Sequence, residues 1–110
     1  MGSLNMLFML VVAHALCDYP LQGDFLAQAK NRNTPLGKLY WPHALAAHAM
    51  IHGGAVLLIT DSLVCACMEV LLHAYTDWLK CEGRISLHID QLIHIACKFL
   101  WVGIVFAWQP

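Results

Sequence analysis

Residues 62–80 read SLVCACMEVLLHAYTDWLK, an apolar run in which Glu69, His73 and Asp77 recur at every fourth position. Side chains four apart stack on one face of an α-helix, about one turn from each other. The run therefore reads as a helix with a polar seam and apolar flanks. His73 and Asp77 are both metal-ligand types, and two ligands one turn apart are what a helix can offer to a single ion.

The same spacing returns at His14/Asp18, His48/His52 and Asp90/His94, each in a different apolar segment. Of the 110 residues, 60% are hydrophobic and only 12% charged, with net charge −1 and mean hydropathy +0.62. A water-soluble domain carries roughly a quarter charged residues, and ionisable groups inside apolar helices are costly unless they serve a purpose. The expected class is an integral membrane protein, a single domain over residues 1–110. Its six Lys and Arg form no dense patch, which excludes nucleic acid as a partner and leaves the lipid bilayer. Five cysteines include no CxxC pair, so neither a zinc knuckle nor a disulfide framework is indicated.

Four apolar segments set out the expected architecture: Leu4 to Tyr19, Trp41 to Thr60, Ser62 to Lys80 and Ser86 to Trp108. The expected fold is all-α, a four-helix antiparallel transmembrane bundle with an interfacial segment, Leu21 to Tyr40, between helices 1 and 2. A span needs about 20 residues, so the first segment is marginal and the others adequate. It is short enough for a signal peptide, but no Lys or Arg precedes it and Asp18-Tyr19-Pro20 is a poor cleavage site, so it reads as a membrane helix. Pro20 closes the first helix, Pro42 opens the second and Gly83 follows the third. The short connections at Thr60-Asp61-Ser62 and Cys81 to Ile85 force antiparallel neighbours. Lys30, Arg32 and Lys38 occupy the first connection and Lys80 and Arg84 the third. By the positive-inside rule those connections are cytoplasmic and both termini periplasmic, in a bacterial inner membrane. Lys98, inside the fourth helix, is the exception.

At about 1.5 Å per helical residue from the cytoplasmic ends, His14, His48, His73 and His94 lie at roughly 9, 10, 10 and 12 Å, and the three aspartates at roughly 3 to 6 Å. The sequence thus predicts an imidazole layer with a carboxylate layer just above it toward the cytoplasm, and His52 one turn deeper. The expected ligands are His14, Asp18, His48, His52, His73, Asp77, Asp90 and His94, holding one or two divalent transition metals. Imidazole with carboxylate favours zinc first, then iron or manganese. One of Asp18, Asp77 or Asp90 would bridge the metals or act as general base. Gln22, His43, Lys80, His88 and Gln91 are expected around them as groups that orient the ligands. Glu69 either joins this interior or faces a neighbouring subunit, and Gly53-Gly54 permits close helix approach. A metal-free polar network or proton relay is the competing reading of the same residues.

The stretches His14-Ala-Leu-Cys-Asp18-Tyr-Pro-Leu-Gln22, His43 to His52, His73-Ala-Tyr-Thr-Asp77-Trp-Leu-Lys80 and Asp90-Gln91-Leu-Ile-His94 resemble a family of small bacterial and phage membrane proteins known only as a domain of unknown function. The likeness covers nearly the whole chain, with Tyr19 where phenylalanine is expected. More distantly, the chain is similar to membrane-bound proteins described as metal-dependent hydrolases, which also set His and Asp pairs in short helices.

The leading functional expectation is a metal-dependent hydrolase opening to the cytoplasmic leaflet, acting on an amphiphilic or lipid-linked phosphate or ester. The alternative is a non-enzymatic membrane module: a metal or proton conduit, or a phage effector that binds a host membrane protein. Bis-histidine haem binding would leave three aspartates beside a hydrophobic macrocycle. Association with a second copy is expected from Lys98 and Glu69 in the helices.

Overall fold

In a computed structural model describing residues 1–108, the chain forms five α-helices: α1 (Ser3–Asp18), α2 (Gly23–Ala29), α3 (Pro35–Thr60), α4 (Leu63–Cys81) and α5 (Leu87–Ala107). No strand occurs among the described residues. The long helices pack in a ring, α1 against α3 and α5, and α4 against α3 and α5, while α2 rests on α3.

Local chemistry explains most of the boundaries. Pro20 stops α1, and Gly23 at φ 66° starts α2 after a bend of 81°. Helix α3 opens at Pro35, where proline's missing N–H costs nothing, and the Thr34 side chain accepts from Gly37 N. The expected start at Trp41 is therefore six residues late. Pro42 lies inside α3, which tolerates the loss of one backbone hydrogen bond. Asp61 at φ 54° ends α3, and only two residues separate it from α4, so those two helices run antiparallel. Ser62 and Ser86 cap α4 and α5 by accepting from Cys65 N and Ile89 N.

Two helices, α3 and α5, are long and apolar enough to cross a membrane, not the expected four. Helix α1 has 16 residues, about 24 Å of length, and qualifies only jointly with α2 across the bend. Helix α4 carries Glu69, Asp77 and Lys80, which lower its hydropathy below that of a span.

The interior is as polar as it is apolar: twelve buried polar or charged residues against twelve buried hydrophobic ones. Leu4, Phe8, Leu58, Leu63, Leu71 and Phe99 face outward. This inverts the pattern of a water-soluble domain. The apolar core that exists, Met6, Leu10, Val56, Cys65, Cys97 and Trp101, fills one end of the bundle.

Gly53 sets the approach of α3 to α4. A Cβ there would stand 2.3 Å from Val70 Cγ2 and 3.1 Å from the Ala66 carbonyl, whereas one at Gly54 would meet nothing. Gly53→Ala is expected to destabilise by about 1–3 kcal/mol through overpacking, and Gly54→Ala by less than about 0.5 kcal/mol. Thermal unfolding in detergent compares them, and equal midpoints would contradict the close-contact role.

The loop between α2 and α3 is tied to the end of α4. Arg32 Nε donates to Glu82 Oε2 at 2.9 Å, and Asn33 Nδ2 donates to the same oxygen and to the Cys81 carbonyl. These hydrogen bonds hold the Glu82 carboxyl below its ordinary range and raise the Arg32 guanidinium.

Candidate metal centre

Each ligand pair occupies one helix, so four helices deliver side chains to one interior. His14 and Asp18 close α1, His48 and His52 lie mid-way along α3, His73 and Asp77 in the second half of α4, and Asp90 and His94 in the first half of α5. Asp90 sits in the first turn of α5, where the helix dipole favours a carboxylate.

Asp18 is the hub. His52 Nε2 lies 2.8 Å and His48 Nε2 3.2 Å from its Oδ1, while Gln91 Nε2 donates to its Oδ2 at 2.9 Å. His14 Nε2 is 3.2 Å from Oδ2 and 2.9 Å from Gln91 Oε1. Gln91 also donates to Asp90 Oδ2 at 3.1 Å, and Asp90 Oδ1 takes His94 Nε2 at 3.1 Å. The imidazoles stack through the centre: His52 on His73 with centroids 3.7 Å apart, and His73 on His94 at 4.1 Å.

Four donors gather most tightly. One ligand atom from each of Asp18, His48, His52 and His73 lies within 4.8 Å of the others. Ligands held at zinc distances are separated by about 3.4 Å, so shifts of less than about 1 Å per side chain close the set around one ion. Both ring nitrogens of His73, together with Nδ1 of His14 and of His48, are buried and lack a hydrogen-bond partner among the described residues. Orphaned buried polar atoms are expensive, and an ion coordinated by a ring nitrogen removes that cost.

The other expected ligands take different partners. Asp77 pairs with Lys30 Nζ at 2.6 Å and Lys80 Nζ at 3.1 Å, and its distance to His48 Nε2 is 3.7 Å. Lys80 also approaches Asp90, at 3.9 Å. Eight residues therefore form one connected network, but only four of them form a compact ligand set. His52, expected one turn deeper, joins the layer that holds Asp18. Of the groups expected to orient the ligands, Gln91 and Lys80 touch the carboxylates, and Gln22 Nε2 donates to the Asp18 backbone carbonyl at 2.9 Å. His43 and His88 are exposed and hydrogen-bond to none of the centre.

Lys30 is the residue that sequence reasoning missed. Expected in a cytoplasmic connection, it is instead buried against Asp77. The available signal was charge balance, since three carboxylates in apolar helices need cations, and Lys30 ends the apolar turn Phe25, Leu26, Ala29. Lys98 and Glu69 form a second buried ion pair within the chain, one turn from His94 and His73. Above Asp18 a small cavity of about 60 Å³ is lined by Tyr19, Gln22, Lys30, Lys80 and Gln91.

Fold and site together define a helical bundle with an apolar exterior and a buried imidazole–carboxylate centre able to hold a metal ion. The chain belongs to the family described as "Protein of unknown function (DUF3307)", which matches residues 6–109. No curated protein and no solved structure matches it. That family carries no assigned activity, so function is argued from the site.

Proposed function

We propose that this chain is a membrane-embedded metal-dependent hydrolase with one divalent ion held by Asp18, His48, His52 and His73. The observation that carries the reading is electrostatic. The interior contains four carboxylates, Asp18, Asp77, Asp90 and Glu69, against three ammonium groups, Lys30, Lys80 and Lys98. Asp77, Asp90 and Glu69 have lysine neighbours, whereas Asp18 has only imidazoles and an amide. With neutral histidines the interior is one cation short, and a divalent ion leaves it one positive charge in excess, which suits an anionic substrate.

A divalent ion at these donors supplies Lewis acidity at neutral pH, with zinc the first candidate and iron or manganese next. Asp18 both ligates and lines the cavity, so the reacting group enters beside it. Lys30 and Lys80 line the same cavity and attract a phosphate or carboxylate head. In the hydrolysis the oxygen of water bonds to phosphorus or acyl carbon and the ester bond breaks. The proton of water passes through Asp18 or Asp90 to the departing oxygen. The substrate is an amphiphile whose tail stays in lipid, met from the cytoplasmic leaflet of a bacterial inner membrane, with both termini periplasmic by the positive-inside rule.

A conduit is the second reading, because the polar column extends past His94 and His73 to Lys98 and Glu69. Beyond them the apolar core of Met6, Leu10, Val56, Cys65 and Trp101 fills the bundle, which argues against conduction. The test is elemental analysis of detergent-purified protein, followed by assays on phosphatidic acid and on acyl esters in mixed micelles. One transition metal per chain and turnover lost in Asp90→Asn are expected. Metal-free protein of undiminished stability would favour the relay. Metal-loaded but inactive protein that retains a host membrane partner would favour the effector.

A further inference from the structure

The last turn of α4 carries an arrangement that the metal centre does not use. Two guanidinium groups share one indole: Arg32 Cζ lies 5.7 Å and Arg84 Cζ 5.5 Å from the Trp78 ring centroid. Tyr75 stacks alongside Trp78, with centroids 6.4 Å apart and planes 17° from parallel, and is 60% exposed. Only one carboxylate serves the two cations. Glu82 binds Arg32, while Arg84 has no ion pair among the described residues. The patch therefore carries one surplus positive charge on a planar, preorganised donor fork.

We propose that Arg84, Arg32 and Trp78 form a site for the headgroup phosphate of an anionic phospholipid. A phosphodiester bears a single negative charge, matching the surplus, and a guanidinium fork takes two of its oxygens at once. Trp78 and Tyr75 are amphipathic rings of the kind that sit where headgroups meet acyl chains. The cation–π contacts with the indole restrict both guanidinium groups, which reduces the ordering cost of binding. The hydrogen bonds from Arg32 and Asn33 to Glu82 hold the two loops together, so the fork exists before the lipid arrives. None of these side chains belongs to the metal-donor set, and the inference stands apart from the hydrolase reading.

The test uses the full chain in neutral detergent, stripped of lipid and titrated with phosphatidylglycerol or phosphatidylcholine, with bound lipid counted by native mass spectrometry. Both lipids carry the phosphodiester, but the quaternary ammonium of choline cancels its charge, so wild type is expected to prefer the net-negative phosphatidylglycerol by about tenfold. Arg84→Gln, at an exposed position, and Trp78→Leu should both lose that preference. Lys38→Gln, an exposed cation of the same rim away from the indole, should retain it. Circular dichroism checks that each variant remains helical. Retained preference in Arg84→Gln would overturn the site. Equal loss in Lys38→Gln would reduce it to bulk charge, and displacement by equimolar glycerol 3-phosphate would show that a lipid is not what it recognises.

Discussion

Asp18→Ala is expected to reduce the metal content of the purified protein to background, the largest loss of any single replacement in the chain. The substitution removes one ligand and also the acceptor that aligns His48 and His52, at 3.2 and 2.8 Å, and His14, at 3.2 Å. Losing an outer partner of a ligand costs 10–100-fold in metal affinity. Gln91→Ala, which keeps all four ligands but frees Asp18 Oδ2, should fall in that range. Asp18→Ala should exceed about 100-fold, because it combines both losses. Asp18→Asn separates charge from shape: the amide fills the space but supplies no anion, so it too should lose metal. Competition with a chelator of known affinity measures all three. Wild-type content in Asp18→Ala would remove the metal centre from consideration.

Lys98→Met should destabilise the bundle by about 3–5 kcal/mol, whereas Lys98→Met combined with Glu69→Leu should be close to neutral or stabilising. Both groups are essentially inaccessible, at 1% and 0% exposure. The single change leaves a carboxylate in an apolar interior with neither cation nor water. One of its oxygens, Oε2, already lacks a hydrogen-bond partner. The double change replaces the pair by side chains of similar volume and removes the desolvation cost of both ions. Denaturant unfolding in micelles reads the difference. A single mutant no worse than the double would mean that water or lipid headgroups reach the pair.

The four ligand pairs and their helices were legible in the sequence because period 3.6 leaves an unmistakable polar seam in apolar surroundings. The start of α3 was less visible. Thr34 and Pro35 are good cap and first-turn residues, but the Lys38-containing turn that follows is too polar to look continuous with Trp41 to Thr60. Counting residues down each axis put His52 a turn below the imidazole layer, and so deeper still below Asp18. Cβ atoms tilt toward the amino end of their own helix, so antiparallel neighbours lean toward each other. Asp18 leans inward along α1, His52 leans outward along α3, and their tips meet at 2.8 Å. Partner choice was less accessible: the three-residue spacing of Asp77 and Lys80 marks them as neighbours, but nothing in the sequence brings Lys30 to Asp77 or Lys98 to Glu69. The difference between α3 and α5, which qualify as spans, and α1 and α4, which do not, was legible too: α1 has 16 residues, and Glu69, Asp77 and Lys80 lower the hydropathy of α4.

On the proposed membrane placement, the 81° elbow between α1 and α2 sets a waterline for the molecule. With α1 upright in a bilayer, α2 lies almost flat and floats where lipid ends, and Asp18 hangs directly beneath it at the last residue of α1. The immersion of the centre is then governed by the few residues between Asp18 and Gly23, independently of how thick the surrounding bilayer is. A thinner or thicker membrane would be met by tilting at the opposite end, around Met6, Leu10 and Trp101, while the draught of the centre stayed constant. One residue inserted into the turn between Asp18 and Gly23 would change the direction in which α2 leaves α1, lift Lys30 away from Asp77 and tip the float.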